Sequence, residues 1–520
     1  MRQMSIAPSR DGTAARVETS RVALAMLGFA AVALFGVLSR PPLPVDETRY
    51  LAVAWEMHVT GDWLVPHLNG AVYAHKPPLL FWLINLVWAV FGVSETGARL
   101  VGPAFGTAAI GLAGLLARRL WPARPGVAGR AALVLAGFAT YAIYAGLVMF
   151  DAILTVAVLL GALALTRAGR TPRWWLGLGA ALGLGALAKG PVILAHLAPL
   201  ALTAPLWSAL GWRRTLGGAL AALGVGLGIV GLWLVPAILA GGPAYRDAVL
   251  WTQSAARVGG SLGHGRPWWF FLALLPLIGW PWLWSREVLA SLLATGRSDP
   301  GARFCRIWLG ASLLLFSLIG GKQVHYLLPT LPAIALLVAR FAAVERIDLA
   351  AAGLLQLALG FAALALAFGL IPGEAAAALA RPAWASALVG VMLLVLAFAT
   401  PLLRGTAMVL PGLALAGLAS LAFLIGAPGT ICAARPMVEI LAAAGASPVG
   451  FLGDYRGEFT FAARLTRPLV PFATEKAAMA WLETTPGALL VARPGDITVP
   501  PAREVACAGR RYGVWRGGAR

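Results

Sequence analysis

The chain has 520 residues, 60% of them apolar and only 12% charged, with a mean hydropathy of +0.81, whereas soluble domains carry about a quarter charged residues. That balance excludes a soluble globular or disordered protein. The formal charge of +20 does not argue for nucleic acid, because Arg and Lys stand singly or in pairs at the ends of apolar runs and form no basic face.

Residues 1–21 hold Arg2, Arg10, Arg16 and Arg21 ahead of the apolar stretch Val22 to Leu38, which ends in Ser39-Arg40-Pro41-Pro42 without a small-residue cleavage site. This reads as a cytoplasmic N-terminal segment and a retained first membrane helix. Apolar segments then recur near 78–93, 98–117, 131–149, 152–166, 174–188, 190–210, 215–240, 268–285, 304–320, 324–343, 348–371, 383–403 and 406–427. Runs of roughly 17 to 25 apolar residues cross a hydrocarbon core about 30 Å thick, because a helix satisfies its own backbone hydrogen bonds. If all fourteen segments crossed, Arg118, Arg119, Arg124 and Arg130 would lie outside, against the positive-inside rule. Taking 78–93 as an interfacial helix repairs this, since it opens on Pro77-Pro78 and carries Asn85. The chain is then an all-α polytopic membrane protein with about 13 transmembrane helices over 22–428.

That topology puts the polar anomalies on one extracytoplasmic face: the 40–97 loop, Asp151, Lys189, the 241–267 loop with Arg257, His264 and Arg266, and Lys322-Gln323-Val324-His325-Tyr326. Each has a bland alternative, Lys189 or Lys322 snorkelling to the interface and Asp151 capping a helix. Together they are costly charges at membrane depth, which usually face a cavity or a partner. The cations Arg49, Lys76, Lys189, Arg257, Arg266 and Lys322 suit a phosphate whose apolar tail stays in lipid. Tyr50, Trp63, Tyr73 and Trp82 can stack on a sugar or anchor at the interface. An acid beside them could orient or deprotonate an acceptor.

Beyond about Pro428 the pattern changes. Val449 to Gly453, Leu489 to Ala492 and Tyr512 to Trp515 read as strands and Glu475 to Leu482 as a helix, a small extracytoplasmic α/β domain over 429–520. It has no Gly-rich phosphate loop, zinc spacing or Gly-x-Ser-x-Gly motif, and reads as a lid, an acceptor platform or a stabilising element. Cys305, Cys432 and Cys507 lack metal-ligand spacing; a Cys432–Cys507 disulfide is one reading of the last two.

An ordered set of motifs resembles a known family. They are Asp46-Glu47-Thr48-Arg49-Tyr50, Gly61-Asp62-Trp63-Leu64-Val65-Pro66, Leu68-Asn69-Gly70, Lys76-Pro77-Pro78-Leu79-Leu80 and Ala98-Arg99-Leu100. Further along come Phe150-Asp151, Ala188-Lys189-Gly190-Pro191, Gly263-His264-Gly265-Arg266-Pro267-Trp268-Trp269, Gly279-Trp280-Pro281-Trp282 and Gly321 to Pro329. Over roughly 22–340 the chain resembles the aminoarabinose transferases, lipid-linked-sugar glycosyltransferases of the GT-C fold related to protein O-mannosyltransferases. The likeness implies a glycosyltransferase of the bacterial inner membrane, working on its periplasmic face. Its donor would be a polyprenyl-phosphate sugar and its acceptor lipid A or another glycolipid, though a protein would use the same apparatus. It implies Asp46 as catalytic acid and Asp151 as second cavity carboxylate. Arg49, Tyr50 and Tyr73 would line the cavity, Lys76 and Lys189 would hold the donor phosphate with Arg266, and Lys322 and Tyr326 would close the opposite wall. The bland alternative makes Asp46 a helix cap and Arg49 its i,i+3 partner. The residue before Lys76-Pro77-Pro78 is commonly Glu in this family and here is His75; with His264 it would supply two ligands to a divalent metal. A transporter or flippase of lipid-linked sugars is the competing class, and it requires access from both sides.

The topology has a direct check. Alkaline phosphatase fused after Arg404 is expected to be inactive, and fused after Pro428 active; the reverse pattern would overturn the inside–outside assignment.

Overall fold

The computed structural model describes residues 10–252, 265–293, 299–342, 347–507 and 509–518. Helix α1 (Arg10–Ser39) leads through Pro41-Pro42 into α2 (Asp46–Thr60), which Gly61 stops at φ 71°. There follows a minimal hairpin, β1 (His67–Leu68) and β2 (Ala71–Val72). Asn69 and Gly70 turn it at φ 54° and 75°, the left-handed pair that a two-residue hairpin requires. Helix α3 (Leu79–Phe91) is 13 residues long, about 20 Å at 1.5 Å per residue, too short to cross the bilayer core. The 40–97 loop therefore contains a short apolar helix of the length expected for an interfacial one.

Ser94 caps α4 (Glu95–Leu120) by accepting from the Gly97 amide. Helices α5 (Val127–Gly137), α6 (Ala139–Tyr144), α7 (Phe150–Ala168) and α8 (Trp174–Lys189) follow. Gly190, at φ 74°, breaks α8 before α9 (Leu194–Leu202) and α10 (Ala204–Trp207). Beyond α11 (Trp212–Asp247) come α12 (Phe270–Ile278), α13 (Arg286–Leu293), α14 (Pro300–Leu318), α15 (Leu331–Phe341), α16 (Ala350–Ala367), α17 (Glu374–Leu379), α18 (Ala383–Ala399) and α19 (Leu410–Ile425). Asp299 caps α14, and its carboxylate also receives Trp121 Nε1 at 2.9 Å and Arg340 Nε at 2.7 Å. That carboxylate joins the ends of three helices.

Among the described residues, ten helices are long and apolar enough to cross a membrane. They coincide with most of the expected segments. The exceptions are 131–149, divided between α5 and α6; 268–285, in which α12 is short; and the pair 174–188 and 190–210, which run on from one another across Gly190. Burial sorts the bundle: α7 is 83% buried over its apolar window, whereas α11 and α16 are 22% buried, leaving most of their apolar surface for lipid.

The C-terminal region holds α20 (Ala427–Cys432), α21 (Arg435–Ala444), α22 (Glu475–Thr484) and strands β3 (Val449–Leu452), β4 (Val470–Phe472), β5 (Leu489–Ala492), β6 (Arg503–Cys507) and β7 (Arg510–Arg516). The sheet order is β4-β3-β5-β7-β6, parallel among β4, β3 and β5 and antiparallel thereafter. The expected strands are all present; β4 and β6 lie outside the expectation because Pro471 and the charges of 503–504 mask their alternation. Cys305, Cys432 and Cys507 are free thiols, so the Cys432–Cys507 disulfide does not form; Cys507 Sγ instead faces the Ala434 carbonyl at 3.8 Å.

One close crossing positions the rest. A Cβ built on Gly102 in α4 would lie 1.9 Å from the Leu147 carbonyl oxygen, so only glycine lets the segment before α7 lie against α4. Gly102→Ala is expected to cost about 1–3 kcal/mol through overpacking and to lower the Tm in detergent. Gly224→Ala, whose Cβ meets nothing within 4 Å, should leave the Tm unchanged or raise it.

Candidate functional site

The first turn of α2 carries three of the expected residues, and burial treats them differently. Asp46 keeps 36% of its side chain exposed, pairs with Arg49 one turn on, and accepts from the Tyr50 hydroxyl at 3.2 Å. Tyr50 is buried, with its ring edge-on to Phe150 at 4.9 Å and tilted against Phe81 at 6.5 Å. Burial, then the Asp46 carboxylate, pushes the Tyr50 hydroxyl well above the usual phenol range. It is therefore a neutral donor to Asp46. The i,i+3 pair of the bland reading is present, but Asp46 caps nothing: α2 has no side-chain cap bond.

Next to Asp46 in sequence, Glu47 does the opposite. It is 1% exposed and accepts from Arg40, from the Leu43 amide at 2.9 Å and from the Val148 amide at 3.0 Å. Burial alone would raise its pKa, yet Arg40 and Arg99 hold it below the usual carboxylate range. An ionised carboxylate thus ties the end of α1, the start of α2 and the turn before α7 into one corner. Arg99 completes it by donating to the Arg40 carbonyl at 2.7 Å.

At the start of α7, Asp151 is buried and receives the Lys189 ammonium from the end of α8; its second oxygen lies 4.0 Å from His325 Nε2. Lys189 Nζ also sits 4.5 Å above the Tyr326 ring. Lys76 is within electrostatic reach of Asp151 and His325, and Asp46 of His325 and Tyr144. Tyr73 lies against Phe81 at 6.1 Å and within reach of Arg49. Five separate chain segments therefore converge: α2, the stretch from Tyr73 to Lys76, the start of α7, the end of α8, and 325–326.

The structure brings Asp46, Arg49, Tyr50, Tyr73, Lys76, Asp151, Lys189 and Tyr326 together. It sets Lys322 and Arg266 in a neighbouring clasp. Lys322 is 4% exposed and donates to the carbonyls of Ile319 and Arg266, the latter at 3.0 Å, so one N–H binds backbone at the end of α14 and another binds backbone just before α12. Arg266 is exposed, 6.0 Å from the Phe270 ring. His75 is exposed beside Tyr73, ring to ring 5.3 Å. His264 and Arg257 lie outside the described residues. Among the described residues no group of three or more His, Cys, Asp or Glu could hold a metal. Sequence reasoning assigned no role to Glu47, His325 or Tyr144. Glu47 and His325 stood inside quoted motifs, and His325, one of only six histidines, was a usable signal. Tyr144 lies in an apolar run without one.

Comparison with known proteins follows the same line. Residues 75–238 match the family model described as dolichyl-phosphate-mannose-protein mannosyltransferase. An undecaprenyl phosphate-alpha-4-amino-4-deoxy-L-arabinose arabinosyl transferase of Pseudomonas paraeruginosa is 37% identical over 339 residues, 62% of this chain and 60% of its own length. The protein of the same description from Pseudomonas aeruginosa strain PAO1 is 37% identical over 340 residues, with the same two shares. The match thus spans less than two thirds of these curated relatives. Among solved structures, ArnT from Cupriavidus metallidurans superposes in its apo state with a TM-score of 0.75, covering 95% of this chain and 98% of that one, and bound to undecaprenyl phosphate with 0.73, covering 94% and 97%. At 21% identity this likeness is one of fold.

The Asp151–Lys189 pair predicts strong coupling. Lys189→Ala leaves a buried charge unpaired and should cost about 3–5 kcal/mol, whereas Lys189→Ala combined with Asp151→Ala should recover much of that loss. Additive losses in detergent unfolding would refute the pairing.

Proposed function

As a relative of the aminoarabinose transferases that shares their GT-C fold, this chain, we propose, moves a sugar from a polyprenyl-phosphate donor to an extracytoplasmic acceptor such as lipid A. The observation carrying this reading is the convergence of Asp46, Arg49 and Tyr50 with Lys76, Asp151, Lys189 and His325. Acids and cations meet where apolar helices end, a setting suited to an amphiphile with a charged head. The undecaprenyl phosphate bound to the fold relative is a lipid of that class. We place the protein in the bacterial inner membrane with this cluster on the periplasmic side, where a sugar must arrive on a lipid because nucleotide sugars stay in the cytoplasm.

The reaction is a single displacement. An acceptor oxygen forms a bond to the anomeric carbon as the bond from that carbon to the phosphate oxygen breaks, and polyprenyl phosphate leaves with the electron pair, inverting the configuration. Lys76 and Lys189, with Arg266, stabilise charge growing on the leaving phosphate. Lys189 does so by sharing its N–H groups between Asp151 and the phosphate, and Asp151 fixes where that ammonium stands. Asp46, partly exposed and oriented by Arg49 and Tyr50, positions the acceptor. A hydroxyl acceptor requires it to take a proton as well, whereas a phosphate oxygen is already anionic. On the resemblance alone, we also propose that His75 and His264 are the residues that would hold a divalent metal; unchanged turnover in EDTA, with no metal by elemental analysis, would remove it.

With radiolabelled polyprenyl-phosphate sugar and lipid A in detergent, label should reach the acceptor and free polyprenyl phosphate should appear. Asp46→Asn should lose at least about 100-fold in rate while inserting normally and keeping its Tm, since the pair it breaks is partly exposed. Near-wild-type turnover would sink the assignment. Movement of intact donor across vesicles without bond cleavage would instead make the protein a transporter.

A further inference from the structure

A cleft of about 250 Å³ lies away from this cluster, where the far end of α2 and the β1–β2 hairpin meet the 460–468 segment of the C-terminal region. Its walls are firmly built. The Glu56 carboxylate receives the amides of Asn69 and Gly70, the latter at 3.0 Å. The Asn69 side chain pairs both ways with Leu469, donating at 3.0 Å and accepting at 2.7 Å. Trp55 Nε1 donates to the Leu465 carbonyl at 2.8 Å. Gly70 admits Pro468 so closely that a Cβ there would lie 2.8 Å from its ring.

The lining chemistry is mixed. Asp62 and Glu56 keep acceptor lone pairs beyond those taken by the amides of Leu64, Val65, Asn69 and Gly70, His67 and Arg467 supply donors and Thr466 a hydroxyl that does both, while the Thr60 hydroxyl is already engaged by the Glu56 carbonyl and the Asp62 amide. Val59, Leu465 and Pro468 add apolar patches. Two acids facing one guanidinium and one imidazole select no strongly charged ligand. Alternating donors and acceptors beside small apolar patches suit a ring of vicinal hydroxyls with a C–H face. The volume falls below the ~300 Å³ at which drug-sized sites begin, room for one such ring.

Position gives the ring a role. Glu56 is ten residues along α2 from Asp46, about 15 Å at 1.5 Å per residue, and β2 runs straight on to Tyr73, His75 and Lys76. We propose that this cleft is a subsite for a neutral sugar ring of the acceptor, remote from the atom that reacts, so that the preferred acceptor is a glycolipid with an extended glycan. Binding there supplies affinity and orientation from a non-reacting part of the substrate. The inference rests on the transferase reading above, and its test separates the two.

Wild-type protein should show a KM for lipopolysaccharide carrying its core oligosaccharide at least tenfold below that for free lipid A. Val59→Trp, which fills the cleft from an exposed position, and Arg467→Ala should collapse that ratio. A ratio near one in the wild type, or one retained in both variants, overturns the subsite. If the wild type transfers to neither acceptor, the transferase reading with lipid A fails independently, and titration calorimetry with lipid-free core oligosaccharide decides the cleft. Binding weakened at least tenfold by Val59→Trp supports it; no binding, or equal binding, rejects it.

Discussion

The Glu47 carboxylate is the constraint on which the site depends. It is ionised and buried, and it is affordable only because Arg40, two backbone amides and the nearby Arg99 surround it. Those partners come from the end of α1, the lead-in to α2, α4 and the turn before α7. Displacing any of the four would take a partner from the buried charge. Asp46 is therefore held at the surface one residue before Glu47, and Asp151 is held inside three residues after Val148. Neighbouring acids divide the labour: one builds the corner, and the other is presented by it.

A second constraint comes from the C-terminal region. Phe461 stacks on Trp88 at 5.2 Å and meets Trp55 edge-on at 6.1 Å, while the Arg464 guanidinium lies over Trp55 and Phe461. Together with the Asn69–Leu469 pair, these contacts press the first outer loop onto the bundle from above. Phe461 is buried in the same apolar cluster as Tyr50, Phe81 and Phe150. Whatever moves 459–469 therefore also moves the apolar packing around Tyr50, Phe81 and Phe150.

The membrane supplies the third term. Apolar helix faces cost nothing against lipid, so α11 and α16 can be mostly unburied, whereas Lys189 and Asp151 must find each other. Lys322 shows the alternative outcome. Its charge is met by the Arg266 carbonyl and by the Ile319 carbonyl at the end of α14, the latter a favourable place for a cation by the helix dipole.

Much was legible before any fold was known. The apolar runs announced the spanning helices because lipid imposes their length, and the distribution of Arg placed the polar anomalies on one side. The strands at 449, 489 and 512 followed from local rules acting over a few residues, whereas the hairpin turn at Asn69-Gly70 stood in the sequence only as part of a motif. Hidden were the partners: Glu47 with Val148, Asp151 with Lys189 and His325, Lys322 with Arg266, Phe461 with Trp88. Burial and pairing across 38 to 373 positions of chain arise only when helices pack, and a side chain written as a charge in a motif becomes a scaffold, a ligand group or a cap according to what that packing sets beside it.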